Sequence, residues 1–314
     1  MTVPLLYRLA AAAGTLTALG AGTLVYANRV ELNRFTLRRA EVRVPGLKSP
    51  LRVLHISDLH YVPGQQKKSQ WVRSLAQLQP DLVVNTGDNL SHAQAVPEVL
   101  ETLEPLLQFP GCFVPGSNDY YAPRFKNPLK YFKGPSTLHP EAQTLPTEEL
   151  FGAFGRAGWA NLTNAHSAAE IAGLRIEFSG TDDPHLDLDE FSGWPSTDHP
   201  STEQDEGETT PAPDLRLGVT HAPVRRTLET FADAGADLVF AGHTHGGQVC
   251  LPGERALVTN CDLPTQHAKG LHTIRRADGG VTTVHVSAGL GTSAKAPIRL
   301  FCPPEATLLT VLPQ

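Results

Sequence analysis

The sequence predicts an α/β protein with one apolar segment in front of it. Three observations carry this prediction: short apolar runs that each end in Asp, Asn or His, stretches of helical spacing between them, and an uncharged span near the amino terminus. An apolar run closed by turn residues reads as a buried strand, whereas apolar residues at i, i+3/i+4 and i+7 read as an amphipathic helix.

The amino-terminal span is a different kind of object from the rest. Residues 9–27 (LAAAAGTLTALGAGTLVYA) carry no charge over 19 positions and are bounded by Arg8 and Arg29. At about 1.5 Å per residue this is just long enough to cross the hydrocarbon of a bilayer as a helix. Residues 1–40 are therefore read as a single-pass membrane anchor with its juxtamembrane segment, and 41–314 as the domain it carries. A cleaved signal peptide ending at Val25-Tyr26-Ala27 is the rival reading. Arg29, Arg34, Arg38 and Arg39 follow the span while Arg8 and the amino terminus precede it, so the positive-inside rule leans toward a domain on the cytoplasmic side.

Within the domain, residues 41–45 have the pattern of an edge strand, and 51–57 (LRVLHIS) that of a buried one. The latter ends in Asp58-Leu59-His60, where side chains at i and i+2 are aimed the same way, into the crevice at which open α/β sheets bind ligands. A helix over 70–78 leads to the run 82–86 (LVVNT), which ends in Gly87-Asp88-Asn89. A second helix over 95–108 leads to Cys112-Phe113-Val114-Pro115 and the loop Gly116-Ser117-Asn118-Asp119. This β-α-β-α-β order predicts right-handed crossovers, which bring successive strand ends to one edge of a sheet. Further on, 215–220 (LRLGVT) ends in His221, a helix follows over 224–234, and the run Asp237-Leu238-Val239-Phe240-Ala241 ends in Gly242-His243-Thr244-His245-Gly246-Gly247.

Five strand ends thus carry Asp-x-His, Gly-Asp, Ser-Asn-Asp, His and His-x-His. Neutral imidazole is the commonest metal ligand, and mixed oxygen and nitrogen donors suit Mn, Fe, Zn or Co better than Ca or Mg. The set points to a centre for two divalent transition-metal ions. A formal charge of −6 argues against a protein that coats nucleic acid, so no nucleic-acid partner is expected. Cys112, Cys250, Cys261 and Cys302 are too scattered for a zinc module or a disulfide framework and read as small buried hydrophobes.

Taken together, these blocks resemble the calcineurin-like metallophosphoesterase superfamily, whose pattern is D-x-H, G-D-x-x, G-N-H-[DE], a lone H, and G-H-x-H. The resemblance runs from Leu51 to the carboxyl terminus, and the ending Gly289-Leu290-Gly291-Thr292, Pro297-Ile298-Arg299, Pro303-Pro304-Glu305 is similar to membrane-associated bacterial members. It implies two mixed β-sheets packed as a sandwich flanked by helices. It also implies that Asp58, His60 and His245 hold one metal, that Asn118, His221 and His243 hold the other, and that Asp88 bridges both. The implied reaction is hydrolysis of a phosphomonoester, phosphodiester or pyrophosphate by water held between the two metals, with a lipid-linked phosphate ester among the candidate substrates.

One block departs from the family pattern. Ungapped alignment of Gly116-Ser117-Asn118-Asp119 with G-N-H-[DE] puts Ser117 at the ligand Asn and Asn118 at the phosphate-contacting His. A shift of one residue restores Asn118 as ligand and puts Asp119 at the His position. The shifted reading is preferred, because an amide oxygen is an ordinary metal ligand and a neutral hydroxyl a poor one. It expects Asn118 and Asp119 to act in catalysis, with Asp119 facing the phosphate. The missing imidazole also keeps open a metal-binding scaffold that has lost the chemistry; a nuclease of the same superfamily is a second alternative.

The segments between motifs say less. Residues 182–214 lack Lys and Arg and are rich in Asp, Glu, Pro, Ser and Thr, so they read as an acidic, flexible insertion. Arg124, Lys126, Lys130 and Lys133, interleaved with Tyr120, Tyr121, Phe125, Tyr131 and Phe132, form either a grip for an anionic head group or a solvated loop. His55, close to Asp58, is either a partner behind the ligands or a core histidine.

Overall fold

Strict alternation along the strands decides which layer each side chain enters. In the computed structural model, which describes residues 5–123, 142–197 and 212–314, Leu51 and Val53 face one apolar core while Leu54 and Ile56 face another. Leu82 and Val84 likewise oppose Val83, and Leu238 and Phe240 oppose Val239. Strands buried on both faces are what parallel sheets covered by helices require.

In chain order the elements are α1 (Leu5–Val25), β1 (Thr36–Val44), β2 (Leu51–Ile56), α2 (Gln66–Ser74), β3 (Leu82–Asn85), α3 (Val96–Leu103), β4 (Gly111–Phe113) and α4 (Ser117–Tyr120). There follow α5 (Thr147–Arg156), β5 (Ala160–Asn161), β6 (Ala165–Ile171), β7 (Leu174–Gly180), β8 (Leu215–Val219), α6 (Arg225–Asp233) and β9 (Leu238–Ala241). The chain closes with β10 (Cys250–Leu251), β11 (Arg255–Ala256), β12 (Gly270–Arg275), β13 (Val281–Val286) and β14 (Glu305–Pro313). One sheet has the order β1-β14-β2-β3-β4-β5 and the second β12-β13-β9-β8-β7-β6, with β10 and β11 forming a small ribbon.

Both sheets are mixed. β2, β3, β4 and β5 run parallel, and β14 is inserted antiparallel to β2 and parallel to β1. β7, β8, β9 and β13 run parallel, and antiparallel β6 and β12 close the two ends. The inner faces meet in one core that includes Val53, Val84, Phe178, Leu217 and Phe240. Helices α2, α3 and α5 cover the outside of the first sheet through Val72, Val99 and Phe154, and α6 covers the second through Leu228 and Phe231. Each such side chain, fully buried, contributes roughly 1.5–3 kcal/mol. The sandwich with flanking helices is the expected fold class.

The expected edge strand is found at the edge, though longer, because all of β1 pairs in register with β14. The helix expected over 70–78 starts earlier and tightens to a 3₁₀ turn at Leu75–Leu78, where Gln79 takes a left-handed φ of 47°. Among the described residues one helix, Leu9–Asn33, is long and apolar enough to cross a membrane. In the acidic segment 182–214, residues 198–211 lie outside the described residues. Its first part departs from the flexible reading: Asp183 is 0% and Trp194 2% exposed, and the Arg216 guanidinium lies 5.5 Å over the Trp194 ring. The basic cluster at Arg124, Lys126, Lys130 and Lys133 lies outside the described residues.

Candidate metal centre

The ends of β2, β3, β8 and β9 deliver the candidate residues through unusual backbone. Asp58, His60, Asp88, His243 and His245 all have φ between 43° and 67°. The left-handed region costs a non-glycine residue roughly 1–2 kcal/mol, so five such residues at one site mark strain that the surroundings must hold. Backbone bonds lace the loops together: Asp58 N–H donates to Gly87 O and His60 N–H to Asp88 O, both at 2.9 Å, and Gly242 N–H donates to His221 O at 2.8 Å. Two glycines are required by close approach. A Cβ on Gly116 would strike Asp88 Oδ1 and the His221 ring, and one on Gly242 would strike Ser57 Oγ.

Four of the candidates converge. Asp58, His60, Asp88 and His245 each offer one donor atom, and these atoms lie within 4.8 Å of one another. His60 Nε2 is 3.0 Å from His245 Nε2 and 3.3 Å from Asp88 Oδ2, and His245 Nε2 is 3.4 Å from Asp58 Oδ1. Each ring is held from behind, His60 Nδ1 by Ser91 Oγ at 3.2 Å and His245 Nδ1 by Gln248 Oε1 at 3.1 Å. A ring N–H donated to those oxygens leaves the Nε2 lone pair for the centre, which is how metal-binding imidazoles are oriented. Burial pushes the His60 ring down to about 3, so it is neutral, as a ligand must be. Burial alone would raise the Asp58 carboxyl, but contact with the His245 ring holds it well below the usual range.

The second oxygen of Asp58 ends a buried chain that crosses the sandwich. Ser57 Oγ donates to Asp58 Oδ2 at 2.5 Å and Thr86 Oγ1 donates to Ser57 Oγ at 2.6 Å. Both hydroxyl protons are thereby committed, so Thr86 accepts from His55 Nε2–H at 3.0 Å. His55 Nδ1 then accepts from Nδ1–H of His285, on β13 of the facing sheet, at 2.8 Å. All the donors point toward Asp58, whose Oδ1 remains for the cluster. His55 is thus both of the things the sequence allowed: a fully buried core residue and a partner behind a candidate ligand.

The remaining candidates gather around the other side of Asp88. His221 Nδ1 donates to Thr86 O at 2.6 Å, which turns its Nε2 toward Asp88 Oδ2 at 3.5 Å. That Nε2 is buried with only the Asp88 carboxylate near it, too far for a good hydrogen bond, and a cation between the two would satisfy both. The His243 and His221 ring centres are 5.2 Å apart, and His243 Nε2 lies 3.3 Å from Asn260 O and 3.2 Å from Asn260 Nδ2. Asn118 reaches Asp88 twice, by its backbone N–H to Oδ1 at 2.7 Å and by Nδ2 to Oδ2 at 2.9 Å. Ser117 Oγ is engaged by Asn118 Nδ2 at 3.3 Å. Asp58, Asp88 and Asp183 are each at most 2% exposed, and this density of buried carboxylate with convergent imidazole fits divalent cations.

Asp119 requires a correction, since it does not face the cleft. Its carboxylate is 0% exposed and accepts backbone N–H groups from Asp88 and Asn89 at 2.8 Å and from Gly116 at 3.0 Å. It ties the loop after β4 to the loop after β3 and has no free edge for a phosphate. Burial, with the Asp88 charge next to it, pushes its carboxyl up to about 6.

Sequence reasoning passed over Asp183 and His185. The His185 ring lies 4.6 Å from that of His243, and Asp183 Oδ2 is buried without a partner, its charge acting on His221. The signal was present, because the run of β7 ends in Thr181-Asp182-Asp183-Pro184-His185, another apolar strand delivering Asp and His. It was masked by the acidic composition downstream.

The chain is similar to known proteins over most of its length. UDP-2,3-diacylglucosamine pyrophosphatase LpxG of Chlamydia muridarum is 25% identical over 327 residues, covering 92% of this chain and 93% of that protein. The uncharacterized metallophosphoesterase YkuE of Bacillus subtilis is 26% identical over 314 residues, covering 96% and 93%. Among solved structures, TT1561 of Thermus thermophilus aligns over 76% of this chain and 90% of its own at 12% identity, with a TM-score of 0.41. Residues 51–247 match the family model of the calcineurin-like phosphoesterases, and the chain, a phosphoric ester hydrolase, belongs to that family.

Proposed function

We propose that this chain hydrolyses a phosphate ester or pyrophosphate bond of a lipid-linked substrate, using two divalent transition-metal ions. The observation that carries the reading is the convergence of Asp58, His60, Asp88 and His245 beside a buried, unpartnered His221 Nε2. Asp58, His60 and His245 would hold one ion and Asn118, His221 and His243 the other, with Asp88 shared. When bound, two such ions lower the pKa of a water toward ~7 and clamp the attacking and leaving oxygens. The chain supplies the rest. Asp58 and Asp88 give negative charge, the neutral rings give lone pairs fixed by the bonds behind them, and Asn118 rather than Ser117 addresses Asp88. With Asp119 turned away, the imidazole beside the proposed ligands is that of His185, whose ring lies 4.6 Å from that of His243.

A pyrophosphate bearing acyl chains is favoured by the similarity to a protein named for UDP-2,3-diacylglucosamine. The apolar helix agrees with a substrate held at a membrane. The test is hydrolysis of a nitrophenyl phosphomonoester, a nitrophenyl phosphodiester and a diacylated nucleoside diphosphate sugar by the purified full chain. Turnover abolished by chelation and restored by manganese is expected. A chain that binds two ions yet turns over none of the three would be the metal-binding scaffold that the Gly116-Ser117-Asn118-Asp119 departure favours.

A further inference from the structure

The end of the apolar helix is fastened to the loop that braces His245. Asn28 Nδ2 donates to Pro297 O at 2.6 Å, Arg299 N–H donates to Ala27 O at 3.2 Å, and Cys302 N–H donates to the Glu31 carboxylate at 2.6 Å. Ala27 and Glu31 are 2% and 1% exposed, so this is a packed joint. On its other side the same loop reaches the metal centre. The fully buried Arg299 guanidinium donates to His245 O at 3.2 Å, and Gln248, whose Oε1 holds the His245 ring, donates through Nε2 to Ala296 O at 3.1 Å. Few links separate the helix end from a candidate ligand, and the cluster therefore lies close to where the helix leaves the domain.

An apolar groove of about 680 Å³ opens at this joint, between Leu19, Gly22, Thr23 and Tyr26 of the helix and its end and Leu300 and Phe301 of the loop. Phe301 is the informative residue. Its φ of 52° is in the left-handed region, where a bulky side chain is uncommon, and yet it is 43% exposed. An aromatic ring that costs backbone strain and still leaves 43% of its surface exposed has apolar surface over for a partner outside its own chain. The helix identifies that partner: its Leu16, Leu19 and Val25 are 61–69% exposed, and over its 21 residues it is about as long as a bilayer core is thick. Arg29, Arg34 and Lys295 are exposed around the joint, as cations at a headgroup layer are.

We propose that Tyr26, Leu300 and Phe301 form a bilayer-seated edge, with a lipid acyl chain in the groove, that holds the metal centre at headgroup level. The phosphates it reaches are then those carried by lipids in the adjoining leaflet. That substrate clause rests on the phosphoesterase function proposed above; the docking surface does not.

The test uses the full chain reconstituted in phosphatidylcholine–phosphatidylglycerol vesicles with brominated acyl chains. Tryptophan fluorescence added by Phe301→Trp should be quenched by more than half, and that added by Val281→Trp, 51% exposed on β13, by less than a tenth. With a diacylated pyrophosphate in the vesicles and a soluble nitrophenyl phosphodiester, Phe301→Asp should lower the ratio of lipid to soluble turnover at least tenfold. An unquenched tryptophan at 301 in a chain that floats with the vesicles overturns the docking surface. A chain that does not float overturns the anchor and the surface together. Equal loss on both substrates would make Phe301 a folding residue and overturn the proposal. Wild type inactive on both, with position 301 still quenched, would instead overturn the proposed function and leave the surface standing.

Discussion

The two halves of the centre are built differently. Around Asp58, His60 and His245 every donor atom is aimed by something behind it: Ser57 for Asp58, Ser91 for His60, Gln248 for His245. Around His221, Asn118 and His243 the aim is less complete. His221 is fixed by Thr86 O, but Asn118 gives Asp88 its Nδ2–H, so ligation through Oδ1 asks for a turn of the amide. A side chain locked by its neighbours loses no further rotamer freedom on binding, whereas one that must turn does. The first half should therefore bind its ion more tightly than the second.

Asp88 is the sharpest place to break this contrast, because the two proposed ligand sets share it. Asp88→Asn should remove both ions and lower turnover on the order of a thousandfold, equivalent to about 4 kcal/mol. Elemental analysis showing one retained ion would mean that the halves do not share this carboxylate.

The loop after β4 gives the next effect. Asp119→Ala leaves three buried N–H groups unpaired at about 1–3 kcal/mol each, so a stability loss of at least roughly 3 kcal/mol is expected in denaturant titration. Asn118→Ala should leave the fold intact and cost only the weaker ion, and Ser117→Ala should cost neither. An Asp119→Ala protein of unchanged stability would restore the phosphate-facing role that the sequence suggested.

The smallest effect comes from the far end of the buried chain. Without His285 to donate, Asp58 is aimed less well, and His285→Leu should weaken the tighter ion about 10–100-fold. His285→Asn, which keeps an N–H near the same place, should recover most of it. Burial and the neighbouring His272 push the His285 ring down to about 4 from the usual 6.5. The unfolded chain then binds a proton that the folded chain refuses, so this histidine's stability is full above pH 6.5 and is lost as pH falls toward 4. The loss is about 3 kcal/mol, and His285→Leu should flatten the stability profile by that amount. An unchanged profile would mean that the ring is protonated in place.

Much of this was legible in the residues themselves. Asp58, His60, Asp88, His221, His243 and His245 could be read because each follows an apolar run, and a strand delivers its end residues to a sheet edge by local geometry alone. The sandwich was implied by the family resemblance, and strand alternation agrees with it, since Leu51 and Val53 oppose Leu54 and Ile56. The tertiary structure decided what depends on a second segment. Asn118 and Asp119 are adjacent and chemically similar, and what separates them is that the loop after β3 offers N–H groups to Asp119 and the Asp88 carboxylate to Asn118. His55 meets His285 only because two sheets pack face to face, and β14 lies between β1 and β2 although it comes last in the chain. Local spacing carries the direction of a side chain from its own backbone; which group waits in that direction is set by residues far away in the chain, 230 positions for His55 and His285.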